Sequence, residues 1–350
     1  MSGIRRITVV EHIRERTGMY WPAGRDGIPH KSLWPFILVE FATEFAAAQK
    51  RGKVSRIDIR HTAGGQSLSI ECDGRAWTND LQGFCNGKYL RSGLVRHGRS
   101  KYYLGLTYAM ATALSNRMSL EVFDGSEWKG VTCNKGQPGC TERYLPNVLP
   151  KPDGHIVRVC FAPSERYCTE GTLDEVWSEE ALQGIGENVA CLHPGLCVYV
   201  NGRRHLHPGG TQDWVEEAAG ALGGGVVMPA STERHGGLSL SCSIVRRGDS
   251  HRRIVGKVLL DGREVRCRDI LAKTMRMIHD CMSDSGKAPD GCDCVFMVAY
   301  ENREMPLSLQ KANALWNKFD ETADDGDPLI EDYCSKVGQC LFRIFGRFMK

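Results

Sequence analysis

Residues Glu11–Tyr20, EHIRERTGMY, close a short charged segment on a Gly-Met-Tyr stop. Ile4, Ile7, Val10 and Ile13 recur at helical spacing, which predicts a helix within residues 4–20 with one apolar stripe. Pro22 to Pro29 is a Gly/Pro loop. Residues 31–50, rich in Phe, Leu and Ala and ending before Gly52, predict a long helix. Strand-like runs at 55–61 and 66–72 flank the turn signal Ala63-Gly64-Gly65. A loop rich in Gly, Arg and Lys spans 83–101. A helix at 104–115 follows, then strands at 117–123 and 127–132 joined by Asp124-Gly125. Beyond them come strand 155–161, helix 174–190, strand 196–200, the turn Asn201-Gly202 and helix 211–220.

Ala221-Leu222-Gly223-Gly224-Gly225 is the best linker candidate in the chain. Strands near 238–245 and 254–260, a helix at 268–283 and a buried strand at 293–300 come after it. A helix at 308–318, an acidic loop at 320–327 and a terminal helix from 329 complete the order. The expected organisation is a first domain over 1–221, a linker over 222–236 and a second domain over 237–350. The fold class is α+β.

The 350 residues are 41% hydrophobic and 25% charged, enough apolar content for a core in each domain and too much for a disordered chain. A net charge of +3 does not by itself imply a polyanion partner, so any basic surface must be local. The N-terminus MSGIRRITVV lacks a long apolar run with a cleavage site, and no stretch reaches membrane-spanning length; we expect a cytoplasmic chain with no membrane partner. Fifteen cysteines are dispersed through strand-like segments, as in CVFMVAY, and read as small buried apolar residues of a reducing compartment. Only Cys292-Asp293-Cys294 approaches metal-ligand spacing, and no metal site is expected.

The order of motifs resembles the N-terminal region of type IIA topoisomerase B subunits (gyrase B, topoisomerase IV). EHIRERTGMY is similar to the opening of their ATPase domain, and GHIVRVCFAPS at 154–164 to a Gly-Thr-x-Val-x-Phe-x-Pro strand. LHPGLCVYVNGRR at 192–204 and HPGGTQDWVEEAAG at 207–220 match the strand and helix that close that domain. DGREVRCRDILAKTMRMI at 261–278 takes the place of the segment opening the first helix of the transducer. The resemblance covers the chain from about residue 8 to its end. It implies a Bergerat or GHKL domain, a two-layer mixed sheet with helices on one face, then a transducer domain of ribosomal-protein-like βαβ fold.

The resemblance also implies a site for ATP and magnesium. On the helix LVEFATEF it places Glu40 as the base that activates water and Glu44 where an asparagine holds magnesium. A second register puts Phe36 and Glu40 at those positions, and one turn of spacing also suits a solvated stripe. The adenine motif Asp-x-Gly-x-Gly becomes Cys72-Asp73-Gly74-Arg75-Ala76. Cys72, a poor acceptor, stands at the adenine position, with Asp73 and Gly74 beside it; in a strand Asp73 points to the opposite face from Cys72. A turn with a surface aspartate explains this segment better. In the lid, Lys101-Tyr-Tyr-Leu-Gly105-Leu-Thr107 keeps only Gly105, after a run, RSGLVRHGRSK, that suits either an anion or solvent. His155 replaces a threonine of the adenine site. Gln310-Lys311-Ala312 takes the place of a Gln-Thr-Lys loop that in the family delivers a lysine to the γ-phosphate, with the lysine displaced by one residue; a helix start on a solvent face suits these residues as well.

Three functions follow as expectations. A gyrase-B-like scaffold with a degenerate ATP site acts as a homodimer or through a protein partner, without DNA cleavage by this chain alone. A diverged ATPase would use Glu40. Sequence-independent DNA binding would use Arg246, Arg247, Arg252 and Arg253, within a stretch from Arg246 to Arg276 holding ten basic and four acidic residues; a solvated face suits that stretch as well.

Overall fold

The computed structural model describes residues 7–21, 23, 28–29, 33–49, 54–61, 67–74, 81, 85, 95–97, 100–102, 104–123, 125–135, 141–144, 156–168, 177–246, 254–260, 263–265, 268–284, 292–300 and 328–348. Their backbone divides into two compact units.

In the first unit, α1 (Val9–Glu15) starts on a reciprocal cap. The Glu11 amide donates to the Thr8 hydroxyl at 3.1 Å, and the Thr8 amide donates to the Glu11 carboxylate at 2.7 Å. The helix is shorter than expected. Arg16 leaves helical geometry, and Thr17–Met19 forms a single 3-10 turn in which the Thr17 hydroxyl donates to the Ile13 carbonyl. Helix α2 spans Leu33–Gln49. Strands β1 (Arg56–His61) and β2 (Leu68–Cys72) follow, then a small ribbon of β3 (Val95–His97) and β4 (Ser100–Tyr102) within the segment expected as loop. Next come α3 (Leu104–Leu114), β5 (Ser115–Phe123), β6 (Trp128–Asn134), β7 (Thr141–Tyr144) and β8 (Ile156–Pro163). Helix α4 (Glu179–Leu192), β9 (Cys197–Val200) and β10 (Arg203–His205) finish the unit's elements, α4 ending inside the second unit.

The eight-stranded sheet runs β10-β9-β1-β2-β8-β5-β6-β7 and is antiparallel except at β1/β9. Alternation decides its faces: Leu68, Ile70 and Cys72 of β2 and Val157, Val159 and Phe161 of β8 are buried, while Ser69, Glu71, Arg158 and Cys160 take the other side. On that outer face Arg158 donates to Glu71 at 2.7 Å, lies within 3.4 Å of Glu121 and covers the Trp128 ring at 5.1 Å. Trp34 and Phe41 of α2 pack on Phe161, so α2 lies on the inner face.

The second unit takes residues 190–195 and the described residues from His207 onward. Its elements are α5 (Thr211–Leu222), β11 (Gly225–His235), β12 (Leu238–Arg246), β13 (Ile254–Leu260), β14 (Arg263–Glu264), α6 (Arg268–Asp284), β15 (Cys292–Tyr300) and α7 (Pro328–Phe348). The sheet order is β11-β12-β15-β13-β14, and the parallel pair β13/β15 is joined through α6. Every residue of β15 is buried because both faces are covered. Phe296, Val298 and Cys294 meet Ile270 and Ile278 of α6 and Tyr333, Val337 and Leu341 of α7, whereas Val295 and Met297 meet Trp214 and Val215 of α5.

The boundary differs from the one expected. Helix α5 belongs to the second unit, and most of the stretch 222–236 is an edge strand, not a linker. The glycines make the turn that starts β11: Gly223 and Gly224 both hold positive φ, and a Cβ on Gly224 would lie 2.3 Å from the Arg246 carbonyl oxygen. The β11/β12 register breaks on either side of Met228, next to the exposed Pro229. The expected helix 308–318 and acidic loop 320–327 lie outside the described residues.

Two glycine replacements test this packing. A Cβ at Gly256 of β13 would sit 2.1 Å from the buried Phe296 ring, so Gly256→Ala should lose about 1–3 kcal/mol in urea unfolding. Gly220 of α5 has open space around its Cβ position, and Gly220→Ala should gain about 0.5–1 kcal/mol. Equal effects from the two would contradict the close approach at Gly256.

Candidate functional site

Helix α2 is buried on nearly every side, from Leu33 to Ala46. An all-round apolar helix has no solvent face to offer a charge. Glu44 is accordingly only 2% exposed, while Glu40, one turn earlier, is partly exposed. The two carboxylates are therefore not a solvated stripe. In the alternative register Phe36 is packed under Trp21, with ring centroids 4.6 Å apart.

Helix α3 packs on α2, and its Tyr108 is 0% exposed. The Tyr108 ring lies 4.7 Å from Phe41, which also contacts Phe161 of the sheet. Burial pushes the Tyr108 phenol well above its usual range, and the negative charges available to Glu44, Cys85 and Cys72 push it further the same way. Cys85 lies 3.9 Å from the Met118 sulfur, to which the Thr112 hydroxyl also points at 3.7 Å.

Cys72 is 1% exposed at the end of β2, on the same inner face as Ile70. Burial, reinforced by the adjacent Asp73 charge, raises its thiol far above the usual value, so it is a neutral, weakly polar group. Asp73 is exposed and turned away, as strand alternation requires. Its Oδ1 accepts from the Ser55 and Arg56 amides at 2.8 and 2.7 Å, and its Oδ2 accepts from the Ser55 hydroxyl at 2.5 Å. Asp73 thus clamps the start of β1, while Gly74 is buried in the bend that follows. Gly105 lies in the first turn of α3, preceded by the β3–β4 ribbon.

Glu44, Cys72 and Tyr108 are all buried, whereas Asp73 is exposed. Tyr108 lies one residue beyond the lid segment 101–107 and precedes the small-residue run Ala109-Met-Ala-Thr-Ala113. Gln310, Lys311, Arg247, Arg252, Arg253 and His155 lie outside the described residues. Arg246 is exposed at the end of β12, opposite Cys292 and Gly225. Among the described residues, no three metal-ligating side chains gather, and no helix is long and apolar enough to cross a membrane.

No family model matches the sequence, and no curated protein matches it. Solved structures do match. The B subunit of DNA gyrase from Myxococcus xanthus is 18% identical with a TM-score of 0.59, over 97% of this chain and 99% of that one. The 43K ATPase domain of Thermus thermophilus gyrase B, crystallised with an aminocoumarin, is 16% identical with a TM-score of 0.53, over 99% and 96%. The ATPase region of Saccharomyces cerevisiae topoisomerase II is 12% identical with a TM-score of 0.54, over 99% of each chain. The chain has the fold of these proteins, a GHKL domain and a transducer domain, along nearly its whole length.

Two half-buried thiols of this unit make stability depend on pH. Burial raises Cys160 to about 11, with the Glu121 charge adding to it, and burial raises Cys168 to about 11. Unfolded thiols titrate near 9, so the unfolded chain loses these protons first. Their stabilising contribution is complete below pH 9 and is lost as pH rises toward 11. Urea unfolding from pH 8 to 11 should show that decline, and Cys160→Ala with Cys168→Ala should flatten it. An unchanged slope in the double variant would refute the assignment.

Proposed function

We propose that this chain is a gyrase-B-like scaffold that keeps the GHKL and transducer cores and does not use ATP. The supporting observation is the pairing of a buried, neutral Cys72 with an Asp73 whose oxygens are bound to β1. An adenine amino group needs an acceptor, and the inner face at this position offers a thiol. The residues present do not fit an adenine nucleotide bound through Cys72 or Asp73. Glu44, in place of an asparagine, adds a buried carboxylate beside any polyphosphate. The protein then acts through its surfaces, by pairing with a second copy or with a protein partner.

Leaving the amino group unpaired costs about 1–3 kcal/mol, roughly ten- to hundred-fold in affinity. Calorimetric titration of the full chain with ATP and magnesium should show no binding below millimolar concentration. A micromolar Kd that disappears in Glu40→Ala would overturn the proposal and favour a diverged ATPase with Glu40, which is partly exposed, as its base.

A second function is supported by the exposed Arg246 at the end of β12, which opens a stretch of ten basic and four acidic residues over 246–276. Phosphate contacts there would be independent of sequence and steeply salt-dependent. Arg246→Glu with Arg252→Glu should weaken binding to random duplex DNA and reduce the salt slope. If the unmodified chain fails to retard duplex DNA at low salt, DNA binding is excluded.

A further inference from the structure

Strands β12 and β15 pair from Leu238↔Tyr300 to Arg246↔Cys292 without a register break. Within that ladder Cys242 stands opposite Phe296, and Cys294 stands opposite Ile244. The two cysteines are therefore diagonal neighbours on one face of the sheet. Their sulfurs are 3.4 Å apart, and the residues are 0% and 1% exposed. Diagonal Cα atoms in a regular sheet are about 7–8 Å apart, at the outer limit for a disulfide. Strand twist shortens one diagonal at the expense of the other, and the sulfur contact marks this pair as the near one. Phe296, Val298, Ile278 and Tyr333 belong to the same apolar core. A single thiol buried among such groups is inert. A second thiol at contact distance changes the chemistry open to it.

We propose that Cys242 and Cys294 are an oxidisable dithiol, which small peroxides convert into a disulfide between β12 and β15. Enclosure selects the oxidant: a water-sized peroxide reaches the sulfurs through fluctuations that exclude a bulky disulfide such as oxidised glutathione. In the first step one sulfur gives up its proton and attacks the peroxide O–O bond. It gains a hydroxyl as a sulfenic acid, and the other oxygen leaves as water. In the second step the partner sulfur attacks the sulfenic sulfur, the S–O bond breaks, and a second water leaves. Two thiols and one hydrogen peroxide thus give one disulfide and two waters, and the two electrons lost by sulfur reduce the peroxide. Reacting atoms about 3–3.5 Å apart are already near attack geometry, and these sulfurs lie in that range. Closing the bond to about 2 Å then takes side-chain rotation and a small approach of the strands. The bridge ties the central strand of the sheet to its neighbour, a thiol reductant reopens it, and neither step depends on whether the chain uses ATP.

The test is peptide mapping of the full folded chain after exposure to hydrogen peroxide, with remaining thiols alkylated on denaturation. A peptide pair linked through Cys242 and Cys294 should accumulate and disappear with dithiothreitol. Oxidised glutathione at the same concentration should give about ten-fold less of it, because access limits the exchange. In at least one of the variants Cys242→Ala and Cys294→Ala the remaining sulfur should persist as a sulfenic acid, trapped by dimedone added on denaturation; the unmodified chain should not accumulate it. Free Cys242 and Cys294 in a folded chain whose half-buried Cys160 and Cys281 are already oxidised would overturn the proposal. So would a link no more abundant than in the urea-unfolded chain, or equal yields from the two oxidants. The mapping needs no variant, so it decides the question even where neither alanine chain folds.

Discussion

Burial of α2 on nearly every side is the constraint on which the first unit depends. A helix carrying Trp34, Phe36, Ile37, Phe41 and Phe45 has to be surrounded, and the eight-stranded sheet, α3 and the chain around Trp21 supply the surroundings. Enclosure carries an electrostatic consequence. Glu44 lies on that helix and is taken out of water with it, where an ionised carboxylate is costly unless its neighbours compensate. What would be an ordinary surface charge on an amphipathic helix is here a buried one.

The second unit solves a related problem with two layers. Its central strand β15 is apolar on both sides, so α5 must cover one face and α6 with α7 the other. Two buried serines of β12 are paired: Ser241 bonds Thr211 and Thr232 at 2.7 Å each, and Ser243 donates to the Met228 carbonyl. Polar atoms inside the sheet therefore tie β11, β12 and α5 together at little cost in desolvation.

The sequence made some of this legible and hid the rest for physical reasons. The run CVFMVAY announced a strand buried on both faces, and the periodic order of strands and helices matched the fold. The alternation argument at Cys72 and Asp73 predicted opposite faces, as found. The linker was misplaced because Gly223-Gly224-Gly225 marks a turn, and the following Val-Val-Met-Pro-Ala lacks the alternation that identifies a strand. Glu44 was open to a solvated reading because helical spacing reveals which residues share a side, not whether that side meets water. The burial of Tyr108 against Phe41 has no signal in the lid motif, because packing continues along the helix beyond the motif's last residue.

The edge formed by β11 has a consequence for how copies of this chain meet. A long edge strand offers unpaired amides and carbonyls to any other extended chain, the usual start of sheet-to-sheet aggregation. Pro229 supplies no donor, and the register breaks around Met228 bend the row of backbone groups out of line. An incoming strand could align with only part of that edge, and the next few residues would fall out of phase. The irregularity that obscured the strand in the sequence thus guards the folded protein against runaway polymerisation.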